Sequence, residues 1–168
     1  MKKLIKSTTK VRFQDCDPFN HLNNSKYIDY FMNAREDHIL NHYKLDVFAH
    51  ISTSGKSWVV TAHQIAYIKP VILNEEIVIV SQLIEFSNST LRVEMKMYDK
   101  TETVLKAVLW TTFAYFNILT KKKAEHSPEL ISLFTEIVNP IENHSFEKRC
   151  NEIISNIKSK YDMLSLNE

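Results

Sequence analysis

The chain has one glycine in 168 residues, Gly55. That scarcity excludes the glycine-rich phosphate loop, the dinucleotide fingerprint and the GxSxG nucleophile elbow, each of which needs two or more glycines at fixed spacing. It also moves turns that need a positive φ onto Asn or Asp, the other residues that tolerate that region. Such residues stand in Asp17-Pro18-Phe19-Asn20, Leu73-Asn74-Glu75, Ser87-Asn88-Ser89 and Tyr98-Asp99-Lys100. Cysteine is almost as scarce. Cys16 and Cys150 are too few and too far apart for a disulfide framework or a metal-ligand spacing, so a reduced, cytoplasmic protein without a metal site is expected. Charge of one sign is missing too: 21 Lys plus Arg against 20 Asp plus Glu leave a formal net charge of +1, and no nucleic-acid partner is expected. No run approaches the roughly 20 apolar residues that cross a bilayer. The opening Met1-Lys2-Lys3-Leu4-Ile5-Lys6 has positive charge but no apolar run behind it, so neither a secretory signal nor a membrane partner is expected.

What is present has the ordinary 44% hydrophobic and 24% charged content of a single globular domain. Lys10-Val11-Arg12-Phe13 reads as the end of a first strand, broken before Pro18. Helix-capping side chains cluster at Asn23-Asn24-Ser25, and about 26–42 reads as a helix. Tyr27, Ile28, Tyr30, Phe31, Met32 and Ala34 cover most of its circumference, and Asp29, Asn33 and Glu36 leave only a narrow polar stripe. A helix apolar nearly all round is expected to be buried. Four strands follow, at 57–69, 76–86, 90–98 and 104–118. The third alternates strictly, with Leu91, Val93, Met95 and Met97 on one side and Arg92, Glu94 and Lys96 on the other. One strand, one buried helix and four strands predict an α+β domain in which a curved antiparallel sheet of about five strands wraps a long central helix. The domain is expected over 1–126. A helical extension over 127–168 begins at Ser127-Pro128-Glu129 and is expected to pack on the same domain or on a partner chain, with Ile153, Ile154, Ile157 and Tyr161 on one face of its second helix.

The chemically suggestive segment is Asp15-Cys16-Asp17-Pro18-Phe19-Asn20-His21-Leu22-Asn23-Asn24. It feeds two acids, a histidine and three asparagines into the start of the buried helix. A helix N-terminus offers free N–H groups that stabilise an oxyanion, and a carboxylate beside it can attack a carbonyl or activate water. This is the chemistry of acyl transfer without a Ser-His-Asp triad. Tyr27 and Phe31 on the helix, and Trp58 and Val60 at the start of the second strand, are the expected walls of an acyl pocket because they sit close to the loop. Arg35 is expected to pair with an acid, Asp15 to cap the loop or pair with Arg12, and Cys16 to pack, its thiol held up by two neighbouring acids. Asp17 as a plain turn residue, and His21 as a loop-locking hydrogen-bond donor, are the structural alternatives.

The segment Val11-Arg12-Phe13-Gln14-Asp15-Cys16-Asp17-Pro18, followed by Asn20-His21-Leu22-Asn23-Asn24-Ser25-Lys26-Tyr27, resembles the signature of the 4-hydroxybenzoyl-CoA thioesterase family of hotdog-fold proteins. The likeness continues at Ile65-Ala66-Tyr67-Ile68-Lys69-Pro70 and Phe113-Ala114-Tyr115-Phe116-Asn117, and spans about 7–130. The resemblance implies hydrolysis of an acyl-CoA or acyl-carrier thioester, with coenzyme A entering only as part of the substrate and no separate cofactor. It assigns catalysis to Asp17, as nucleophile or general base, and polarisation of the thioester carbonyl to Asn24; His21 completes the candidate catalytic set. Asn20 replaces the family's glycine, a substitution that a left-handed asparagine accommodates. It further implies a homodimer or homotetramer with sites at the interface. Two other functions fit the same fold: a dehydratase using His21 with Glu36 or Asp29, and a non-catalytic acyl-CoA-binding module.

Overall fold

The β-branched run Ile77-Val78-Ile79-Val80 forms the most deeply buried strand, and the other elements arrange around it. In the computed structural model, which describes residues 1–165, the strands are β1 (Leu4–Lys10), β2 (Lys56–Tyr67), β3 (Glu76–Phe86), β4 (Thr90–Asp99), β5 (Leu105–Asn117) and the two-residue β6 (Lys122–Lys123). The helices are α1 (Asn24–Tyr43), α2 (Val47–Ser54), α3 (Pro128–Ile137) and α4 (Phe146–Ser165). The sheet is antiparallel with strand order β1-β3-β4-β5-β2, and β6 adds to β5. Register shifts at Val60/Ala62, Leu83/Glu85 and Met97/Tyr98 bend the strands, as bulges do. The curled sheet holds α1 in its concave face, which is the hotdog arrangement.

The faces of the sheet divide the core in two. Inside, Tyr27, Phe31 and Ala34 of α1 pack on Ile77, Ile79, Val93, Met95, Met97 and Leu109, with Leu130, Phe134 and Ile137 of α3 at one side. Outside, Phe146, Cys150 and Ile153 of α4 cover Ile84, Val108 and Trp110. Ile154 and Ile157 join this outer cluster, whereas the Tyr161 side chain lies outside the described residues. Both helices of the extension therefore pack on their own domain.

Four local expectations change. The first strand ends at Lys10, not Phe13, because the chain turns into a 3₁₀ segment at Phe13–Asp15, leaving Phe13 79% exposed. The helix α2 was not anticipated, although Asp46 caps it by accepting from the Ala49 N–H and Gly55 closes it at φ 66°. Within one chain, α1 buries a stripe and not its circumference: Leu40 is 42% exposed, since a single sheet covers one side of a helix. Finally, Asn20 and Asn74 take the positive φ expected of them, but so do Lys44, Glu102 and Lys121. The turns at 87–89 and 98–100 need none.

A polar chain crosses the helix–sheet contact. Arg35 Nη1 donates to Ser81 Oγ at 3.2 Å, Ser81 Oγ meets His38 Nδ1 at 2.8 Å, and His38 Nε2 meets Ser7 Oγ at 2.8 Å. Burial, reinforced by the charges of Arg35 and His42, pulls the His38 pKa from 6.5 down to about 4. The folded state therefore binds fewer protons than the unfolded chain between these values. The resulting stability is complete above pH 6.5 and drains away as pH falls toward 4, by up to about 3 kcal/mol. Urea midpoints at pH 7 and pH 4.5 should fall steeply for the wild type and less for His38→Gln. Equal falls would assign the acid sensitivity to other groups.

Candidate active site

Backbone hydrogen bonds make the loop before α1 rigid. The Asp17 N–H donates to the His21 carbonyl at 2.8 Å and the Asn20 N–H to the Asp17 carbonyl at 3.0 Å, a tight turn completed by Asn20 at φ 61°. The Leu22 N–H donates to the Val71 carbonyl at 2.8 Å, and the Leu73 N–H to the Asn20 carbonyl at 2.9 Å, tying the loop to the chain that leaves β2. Asn23 caps α1 by accepting from the Ser25 N–H, so Asn24 is the first residue of the helix. Its N–H belongs to the four that no helical carbonyl can satisfy, and no acceptor for it occurs among the described residues.

Asp17 Oδ1 accepts from the Phe19 N–H at 2.9 Å and the His21 N–H at 3.0 Å. These two bonds orient the carboxylate and engage one oxygen; Oδ2 has no protein donor among the described residues. Asp17, His21 and Asn24 border one cavity of about 250 Å³, with Tyr27, Tyr67 and Lys69 around it. The loop-locking bonds at position 21 come from the backbone, and the His21 imidazole faces the cavity without a protein partner among the described residues. The Tyr27 ring meets Tyr67 edge-on at 5.0 Å, and its hydroxyl accepts from the Val71 N–H at 3.2 Å. Burial, the largest influence, pushes the Tyr27 phenol pKa up, so it stays protonated.

The neighbours of the site play supporting parts. Asp15 accepts from the Tyr30 hydroxyl at 2.8 Å, which itself accepts from the Arg12 N–H at 3.1 Å, so its partner is Tyr30 and not the Arg12 guanidinium. The Cys16 thiol pKa is raised, first by burial and then by Asp15 and Asp17, and its Sγ packs against the core. Arg35 finds no acid: among the described residues it forms no ion pair with a carboxylate. No three His, Cys, Asp or Glu side chains are grouped to hold a metal among the described residues, and no described helix is long and apolar enough to cross a membrane.

Within one chain, three expected pocket walls stand away from this cavity. Phe31, with no exposed surface, lies one turn beyond Tyr27 in the sealed core. Val60 is 43% exposed on the sheet edge, and Trp58 borders a different cavity. The reason is strand direction. The end of β2, at Tyr67, reaches the Asp17 loop, and Trp58 near its start lies about 30 Å away at 3.3 Å per residue. Tyr67, whose hydroxyl donates to the Asn24 carbonyl at 3.0 Å, is the wall residue that the sequence reading missed. Its place just before Pro70, where the strand must stop, was the available signal.

The thioesterase-like superfamily matches residues 11–134, and the chain belongs to that family. It is 25% identical over 134 residues to the long-chain acyl-CoA thioesterase FadM of Escherichia coli, covering 80% of this chain and 99% of that one. A 1,4-dihydroxy-2-naphthoyl-CoA thioesterase from Synechocystis superposes with a TM-score of 0.72 at 14% identity, covering 82% of this chain and 99% of that one. A Staphylococcus aureus protein solved in complex with CoA superposes at 0.75 with 12% identity, covering 87% and 90%. These structural likenesses establish the hotdog fold.

Proposed function

We propose that the protein hydrolyses acyl-CoA thioesters to free acid and thiol at the junction of the loop and α1. The observation that carries this reading is the pairing of an oriented carboxylate, Asp17, with an unpaired helix N-terminal N–H, Asn24, around one cavity. Asp17 Oδ2 attacks the thioester carbonyl or takes the proton of an attacking water, while the Asn24 N–H stabilises the oxyanion. His21 completes the set by holding Asp17 through its own N–H. The family match and the acyl-CoA relatives support the same substrate class. The dehydratase reading lacks such support: Asp29 pairs with Lys26 at 3.1 Å and Glu36 borders the other cavity, so neither joins His21. The free Cys16 and Cys150 suit the reducing cytoplasm.

The working unit in this reading is at least a dimer. β2 is an edge strand of twelve residues whose outer side is unpaired, with Val59, Val60 and Tyr67 each more than 40% exposed. Such an edge invites a second strand, and two-fold pairing of β2 with itself lays one copy's Tyr67 end beside the other's Trp58 end. The site of each copy is thereby completed by its neighbour.

Thiol release from a panel of acyl-CoAs, followed with a thiol reagent, tests the function. Steady release with at least one acyl-CoA at saturable rates is expected. Binding of acyl-CoA without any release would move the protein to the non-catalytic reading.

A further inference from the structure

Tyr67 is 43% exposed, yet its hydroxyl turns back to the protein and donates to the Asn24 carbonyl at 3.0 Å. A bond so open to water trades one partner for another and adds little to stability. What it adds is a constraint, and the place of that constraint matters. Asn24 is the first residue of α1, and helix ends fray unless something holds them. The cap holds this end locally: Asn23 Oδ1 accepts from the Ser25 N–H at 3.0 Å and from the Ser25 hydroxyl at 2.8 Å. Tyr67 holds it from 43 residues further along the chain, at the last position of β2.

The phenol is itself anchored on both sides. Its backbone pairs with Ala107 of β5, and its ring meets Tyr27 edge-on, with centroids 5.0 Å apart and planes at 81°. The Tyr67 hydroxyl thus carries the rigidity of the sheet to the helix start. Asp17 is oriented differently, by the Phe19 and His21 N–H groups of its own loop. The carboxylate is therefore fixed to the loop and the Asn24 N–H to the helix, and the geometry between them depends on how firmly the first turn is held. An oxyanion donor has to stay within about 0.5 Å of its productive place.

We propose that Tyr67 is a positioning residue: by holding the Asn24 carbonyl it fixes the first turn of α1 and keeps the Asn24 N–H aimed at the thioester carbonyl oxygen, a role that rests on the thioesterase reading above. Tyr67→Phe tests it, because the ring and its contact with Tyr27 stay and only the O–H is lost. With a saturating acyl-CoA, kcat is expected to fall about tenfold, the full worth of one hydrogen bond, while KM changes little. The melting temperature should move by no more than about 2 °C. Tyr43→Phe is the control. Tyr43 ends the same helix, is 6% exposed, and its hydroxyl likewise donates to a backbone carbonyl, that of Lys2, at 2.9 Å. Losing that buried phenol should give the opposite pattern, a lower melting temperature with kcat kept. Three results overturn the assignment of Tyr67: a kcat within twofold of wild type, a loss confined to KM, or a loss of kcat matched by a clear fall in melting temperature. If the wild type releases thiol from no acyl-CoA, the thioesterase reading itself fails and the positioning role falls with it.

Discussion

Glu94→Gln is expected to lower the melting temperature by about 10 °C, since breaking a buried ion pair costs roughly 3–5 kcal/mol and each kcal/mol moves a domain of this size by about 2–4 °C. Glu94 has no exposed surface and sits on the outer face of β4. Its carboxylate accepts from Gln82 Nε2 at 2.8 Å, Trp110 Nε1 at 3.0 Å, and Arg149 Nε and Nη2 at 2.9 and 3.1 Å. Burial pushes its pKa up, but the bonds from Arg149 and Trp110 and the charge of Lys96 outweigh that, and the group is held below the usual range. An amide at this position presents N–H groups to donors and leaves Arg149 without its counter-charge. Calorimetry of the variant decides the point. A fall of only a degree or two would give the cluster the energetic weight of a surface ion pair.

Glu94 also marks where the sequence misleads. Strict alternation in β4 placed Leu91, Val93, Met95 and Met97 correctly on the helix side. The same pattern puts Arg92, Glu94 and Lys96 on the opposite face but does not say what covers it, because alternation reports polarity alone. The cover is α4, and its Arg149 is the charge that makes a buried glutamate tolerable. Trp110, on the strand paired with β4 through Glu94, lies under the same cover and not on the helix side of the sheet. A single sequence shows the apolar stripe of α4 but not the sheet face it meets. The central helix and β3, β4 and β5 were legible nearly to the residue, since local periodicity determines them. By contrast, α2 is only eight residues long and ends in the polar Ser52-Thr53-Ser54, so its markers were Asp46 before it and Gly55 after it.

The candidate site was legible where the chain is contiguous. Asp17, His21, Asn24 and Tyr27 lie within eleven consecutive residues and border one cavity. Asn20 does take the left-handed conformation that its place after Asp17-Pro18-Phe19 demanded. What a single chain does not bring together is the part that depends on long-range geometry. Tyr67 and Trp58 both lie on β2, and only the direction of that strand decides which end meets the loop. Arg35 differs for another reason: its neighbours Ser81 and Tyr43 are neutral, and Ser81 stands on a strand that local periodicity does not bring to the helix.

In the proposed reaction the Asp17 carboxylate performs the chemistry. Asp17→Asn keeps an oxygen to accept from the Phe19 and His21 N–H groups and replaces only the free oxygen with an amide. The loop should therefore hold its shape while the attacking or proton-accepting atom is lost, a loss worth at least about 10²-fold for a general base. Asp15→Asn is the matched control, removing the same charge two residues away from a carboxylate that bonds Tyr30. The deciding measurement is kcat with a saturating acyl-CoA for wild type, Asp17→Asn and Asp15→Asn, each checked for its melting temperature. A folded Asp17→Asn protein is expected, with kcat lower by two orders of magnitude or more, KM little changed, and Asp15→Asn losing far less. A folded Asp17→Asn protein that turns over at the wild-type rate contradicts it.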